Sequence, residues 1–251
     1  MGETAKVLCP DKKVLVPDMA AGCSLADSCP ADKFAQFVKE HPGHTVISYV
    51  NTTAAVKAVT DVVVTSTNAR QIVESFPEDE KIIFGPDRNL GNYINSVTGR
   101  NMLLWDGACH VHEQFSVEKI VELKQQHPGA VVLAHPECKN TVLKLADVVG
   151  STAALLKYAV AHPEKKYIVA TESGILHEMQ KKCPQTKFIP APPNDSTCAC
   201  NECNFMRLNT LEKLYNCLKD ESPEIKVDAE IAEKAVKPIK RMLEISAKLG
   251  L

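Results

Sequence analysis

The side chains of this 251-residue chain that can do chemistry recur at one spacing. Tyr49 and Asn51 close the apolar run Thr45–Asn51, and His135 and Glu137 close Val131–Glu137, 86 positions later. Ser66 closes Asp61–Ser66, and Ser151 with Thr152 closes Asp147–Thr152 at the same offset of 86. Ser66-Thr-Asn-Ala and Ser151-Thr-Ala-Ala both read as helix N-caps. A helix start offers unpaired N–H groups and the positive end of a dipole, which suit carboxylate and phosphate. A small polyanionic substrate is the expectation.

Cysteines repeat in the same way. Cys23 follows the run Lys12–Pro17 after a turn, and Cys109 follows Arg100–Trp105 at the same offset of 86. A third such run, Phe188–Ala191, leads through Pro192-Pro193 into Thr197–Cys203, which carries Cys198, Cys200 and Cys203. Three thiolates converge if the copies pack around a pseudo-threefold axis, and three cysteines suit an iron–sulfur cluster with one iron left open. Ser24 reads as the cap of Leu25–Asp27, so Cys23 would stand beside a helix start, where thiolates are favoured. The lesser alternative is that the third group alone, completed by Cys183 or His177, makes a structural zinc corner. Cys9, Cys29, Cys138, Cys183 and Cys217 read as core thiols or local pairs.

Elements must hold these groups in place. Lys81–Asp87 matches Lys166–Glu172 at an offset of 85, and Asn101–Trp105 matches Lys187–Ala191 at 86. Each matched run has the length and β-branched content of a buried strand. Helical patterns lie between them, such as Thr53–Val59, Ala69–Ser75 and Thr141–Ala146. Strands alternating with helices predict parallel sheets covered on both faces, with ligands at the carboxyl ends of the strands.

Two modules, 31–116 and 117–217, are complete. A bridge at Asp220–Pro223 leads to an amphipathic helix, Ala229–Leu249, so the last domain runs 117–251. Residues 1–30 read as the tail of a further copy: Lys12–Pro17 as its last strand, Gly22-Cys23 matching Ala108-Cys109. The expected fold is α/β, a pseudo-threefold arrangement of three-layer modules with short parallel sheets. The first module is truncated, its other strands expected upstream of Met1.

Composition narrows the function classes. Apolar residues make up 45% and charged residues 24%, enough for a sizeable core. A net charge of −2 gives no nucleic-acid or anionic-membrane surface. No signal-peptide core or bilayer-length apolar run is present, so a cytoplasmic protein is expected. Ten cysteines in a chain of that kind point to metal or redox chemistry rather than a disulfide framework.

The segments Pro17-Asp-Met-Ala-Ala-Gly-Cys-Ser-Leu-Ala-Asp27, Trp105-Asp-Gly-Ala-Cys-His-Val-His112, His135-Pro-Glu137, Gly150-Ser-Thr152 and Cys203-Asn-Phe-Met206 together resemble the quinolinate synthase family. The resemblance runs from Met1 to about Leu218. It implies three α/β/α modules and a [4Fe–4S] cluster held by Cys23, Cys109 and Cys203, with Cys200 as an alternative to Cys203. It implies substrate contacts at Tyr49, Val50, Asn51, Ser66, His135, Pro136, Glu137 and Thr152, to which the repeat adds Ser151. Tyr49, His135 and Glu137 are the implied proton-transfer groups.

The implied reaction joins iminoaspartate to dihydroxyacetone phosphate and yields quinolinate, phosphate and two waters, in NAD biosynthesis. Iminoaspartate would come from an L-aspartate oxidase or dehydrogenase. The alternatives differ in class. One is a truncated, non-catalytic relative that binds a cluster or ligand; the other is a zinc-stabilised α/β protein.

Overall fold

The structure is a computed structural model that describes residues 1–163, 165–195 and 202–251. The described chain forms two compact units, Met1–Gly107 with Asn204–Leu251, and Ala108–Cys203. Each holds one four-stranded parallel sheet. The first contains β1 (Thr45–Tyr49), β2 (Val62–Val64), β3 (Ile82–Gly85) and β4 (Leu103–Leu104), in the order β2-β1-β3-β4. The second contains β5 (Val131–Ala134), β6 (Val148–Val149), β7 (Lys166–Ala170) and β8 (Lys187–Pro190), in the order β6-β5-β7-β8. All eight strands fall inside the runs matched in the sequence.

Register carries the repeat to the level of single residues. Ile47 pairs with Val62 and Phe84, and Leu133, 86 positions on, pairs with Val148 and Val169. Asp61 staples β1: its carboxylate accepts the Val46 N–H at 2.8 Å and its own N–H reaches the Val46 carbonyl at 2.9 Å. Asp147 does the same to Val132, at 2.7 Å and 2.9 Å. Ahead of each sheet a ten-residue helix, Ala31–Glu40 or Val117–Gln126, ends on His-Pro-Gly. Gly43 and Gly129 each take φ +78°, the left-handed conformation that lets the chain turn sharply into β1 or β5.

Both faces of the second sheet are buried, which is why its strands read as unbroken apolar runs. Val132, Ala134, Ile168 and Ala170 pack with Phe115, Ile120 and Val142 on one face. Leu133, Tyr167 and Val169 pack with Leu155, Ala159 and Met179 on the other, as strand alternation requires. In the first unit Phe34, Val46, Val56 and Ile83 form a core with Trp105 against it. The helix Ala229–Lys248 packs on β2 and on the helix Ala54–Lys57.

Three local expectations are corrected. Lys12–Pro17 is not a strand: Leu15 forms an isolated antiparallel bridge with Glu224, and the Ile225 N–H reaches the Val14 carbonyl at 2.8 Å. This segment pairs with the stretch before the last helix rather than with a sheet. The helix Ser24–Asp27 takes Cys23, not Ser24, as its cap. After β2 the cap is Asn68, not Ser66. The Asn68 amide oxygen accepts the Thr65 N–H at 2.7 Å, so a tight turn uses up residues 65–68 before the helix begins. Ser151 does cap its helix, accepting the Ala154 N–H at 3.3 Å.

Candidate active site

In each sheet the chain leaves the central strand to one side and returns on the other. The switch points lie between β1 and β3 and between β5 and β7, and ligands of open parallel sheets bind outside the carboxyl ends there. Residues singled out by the repeat occupy these ends. Tyr49 closes β1 and is buried, Val50 and Asn51 follow half-buried, and Ser66 lies beyond the end of neighbouring β2. The Val50 N–H continues the ladder to the Val64 carbonyl at 2.8 Å. In the second unit His135, Pro136 and Glu137 follow β5 directly, with Ser151 and Thr152 beyond adjacent β6.

The second unit brings several of these groups into contact. The short helix His110–Glu113 presents His112, whose Nδ1 lies 3.1 Å from Glu137 Oε2. Its Nε2 lies 3.1 Å from the hydroxyl of Thr171, the residue after β7. The His112 and His135 rings stack with centroids 4.8 Å apart. His135 Nδ1 accepts the Glu137 N–H at 3.3 Å, which fixes the tautomer with the proton on Nε2. Glu137 is only 3% exposed.

Opposite environments drive these two imidazoles apart. Burial lowers the pKa of both. In His135 it prevails over the attraction of Glu137 and is reinforced by charged His112, bringing the ring down to about 4. In His112 the Glu137 charge and the contact with Cys109 outweigh burial and lift the ring to about 10. A neutral imidazole is therefore stacked on an imidazolium, both beside one buried carboxylate. Such divergence separates proton donor from proton acceptor within one site.

Cys109 belongs to the same cluster: its Sγ, a His112 ring nitrogen and a Glu137 oxygen lie within 4.8 Å of one another. Sulfur, imidazole nitrogen and carboxylate oxygen are donor types of a transition-metal site, in which His112 could serve only after losing its proton. Cys23, Cys109 and Cys203 each stand immediately ahead of a four-residue helix, and each is half-buried. This half-buried position sets them apart from the buried core thiols and is compatible with thiolate ligation of a cluster. The Cys203 backbone is held from within its own unit. Glu172 accepts the Cys203 N–H at 3.2 Å through one oxygen and the Gly174 N–H at 2.7 Å through the other. Cys198 and Cys200 lie outside the described residues. Cys29, Cys138, Cys183 and Cys217 are buried, whereas Cys9 is exposed.

Sequence reasoning passed over His112 and Thr171. His112 was visible as Cys-x-x-His, a spacing that brings both side chains to one face of a helical turn. Thr171 has Gly85 or Pro86 as its counterpart in the other copy, so the repeat gave no signal there.

Comparison with known proteins agrees with these motifs. The family model described as quinolinate synthetase A protein matches residues 1–244. A quinolinate synthase of Synechococcus sp. is 56% identical over 247 residues, covering 98% of this chain and 77% of the relative. One of Thermosynechococcus vestitus is 57% identical over 246 residues, with the same coverages. One of Chloroherpeton thalassium is 56% identical over 246 residues, covering 98% of this chain and 76% of that protein. Among the described residues, no helix is long and apolar enough to cross a membrane.

Proposed function

The chain belongs to the quinolinate synthetase A protein family, and from that premise we propose that it condenses iminoaspartate with dihydroxyacetone phosphate to form quinolinate. One phosphate and two waters leave, and the atoms balance with no oxidant or reductant. Ring closure by condensation and dehydration is then a sequence of proton transfers, and the groups to perform them are at hand. The observation that carries this reading is the contact of the stacked His112 and His135 rings with buried Glu137.

In this reading Cys23, Cys109 and Cys203 hold a [4Fe–4S] cluster, which supplies a Lewis acid to assist loss of hydroxyl when bound. Glu137 takes protons from carbon and nitrogen centres, His135 offers its Nε2 proton to a substrate oxygen, and Tyr49 delivers or receives a proton at the first sheet. His112, 3.1 Å away, keeps the Glu137 carboxylate in place. Asn51, Ser66, Ser151 and Thr152 hold carboxylate and phosphate oxygens. The three-module division 1–30, 31–116 and 117–251 belongs to the same proposal, as does supply of iminoaspartate by an aspartate-oxidising enzyme.

Anaerobic purification followed by iron and sulfide analysis, and by quinolinate assay with both substrates, tests this. About four iron and four sulfide per chain with turnover supports the reading, as a four-iron cluster requires. A cluster without turnover leaves a binding protein of the same family. Zinc in place of iron overturns the proposed chemistry.

A further inference from the structure

Lys57 is the last residue of the helix Ala54–Lys57 and is only 1% exposed. A lysine so deeply buried is rare unless its ammonium is fully satisfied. Its Nζ donates to the Val50 carbonyl at 2.8 Å, the Thr52 carbonyl at 2.6 Å and the Thr52 hydroxyl at 2.9 Å. The Thr52 hydroxyl in turn donates to the Tyr49 carbonyl at 2.9 Å. One ammonium thus fixes the carbonyls on both sides of Asn51 and, through one hydroxyl, that of Tyr49. The carboxylate acting on it is Glu3, which also accepts the Ala54 N–H at 2.7 Å.

The module does not need this charge in order to fold. In the second unit the matching helix is Asn140–Leu143, and the residue 86 positions after Lys57 is Leu143, packed against the apolar core. The same element at the same place is closed there by a hydrophobic side chain. Burial works against the ammonium and lowers the Lys57 pKa to about 8. A residue that departs from the local rule at the end of a ligand-facing strand marks a functional constraint.

We propose that Lys57 is a positioning residue: its ammonium clamps the turn of residues 49–52 so that Tyr49 and Asn51 present a fixed geometry to substrate. The clamp rests on the reading above, in which that turn contacts substrate. It acts on binding rather than on the cluster or the fold. Lys57→Met keeps the aliphatic stem and volume but removes all three donated bonds.

The KM for iminoaspartate or dihydroxyacetone phosphate is expected to rise at least about tenfold in Lys57→Met, with kcat and iron per chain within about twofold of wild type. Amide exchange at Thr52, which donates to the clamped Val50 carbonyl, is expected to quicken while that of β2 does not change. Thr52→Val removes the link to Tyr49 and one of the three bonds from Lys57, and is expected to move KM the same way by less; it decides the matter if Lys57→Met does not fold. Unchanged KM and kcat overturn the clamp. So does a fall in kcat at constant KM, because a merely structural role lowers only the active fraction. Should wild type itself make no quinolinate, the reading of function fails, and amide exchange alone decides the clamp. Faster exchange then keeps it, and unaltered exchange removes it.

Discussion

At the level of single residues, the second unit's site is a balance between burial and one carboxylate. Glu137 sits against both histidines and is almost inaccessible to water. Replacing it with Gln keeps the shape and removes the proton acceptor. Turnover of Glu137→Gln is expected to fall by about a hundredfold or more, with iron per chain unchanged, since general-base loss typically costs that much. His135 makes a second prediction. Its folded pKa is about 4 against an ordinary 6.5, so the unfolded chain takes up the proton first as pH falls. The stability conferred by neutral His135 is therefore complete above pH 6.5 and is lost on the way down to about 4. Urea unfolding of wild type minus His135→Asn should show a loss of about 3 kcal/mol across that window; a flat difference would remove the assignment. His135 and Glu137 were legible because the repeat placed them at a strand end. Their partners were not, because contact with His112 and Thr171 depends on packing between elements far apart in the chain.

At the level of elements, the repeat was legible in strands and less so in caps. Eight runs became eight parallel strands because each is short, β-branched and bounded by polar residues. The caps after Cys23 and Ser66 moved by one or two residues because Asn68 and the extended backbone at Cys23 set the start, which side-chain type alone does not reveal. Asp61 and Asp147 looked like strand borders and proved to be staples between neighbouring strands. Both are partly exposed, so Asp61→Ala and Asp147→Ala should each cost about 1 kcal/mol, the net worth of a modest hydrogen bond. The staples lie in different units with no shared partner, so thermal or urea unfolding of the double variant should give nearly the sum. A clearly smaller sum would show that the two sheets do not melt independently of these contacts.

At the level of the whole molecule, the cysteines divide by place rather than by number. Cys23, Cys109 and Cys203, each half-buried ahead of a short helix, are the proposed ligands. Cys23→Ser, Cys109→Ser and Cys203→Ser are each expected to bring iron per chain near background, while Cys9→Ser and Cys217→Ser leave it unchanged. Retention of the full cluster in any of the first three would shift the ligand set, Cys200 being the first alternative. The sequence foretold the last helix within one residue but not its resting place, since an amphipathic stripe shows that a face is buried and not against what. That resting place has a consequence for the order of assembly. The first unit is built from two stretches separated by 96 residues, Met1–Gly107 and Asn204–Leu251, whereas Ala108–Cys203 is continuous. As the chain leaves the ribosome, the continuous unit has all its parts before the earlier one receives the helix that seals β2. The segment synthesised second is thus equipped to fold first, and the earlier sheet waits, with an apolar flank bare, for about 45 further residues at roughly 5–20 residues per second. Chaperone capture during translation should concentrate in that interval of seconds.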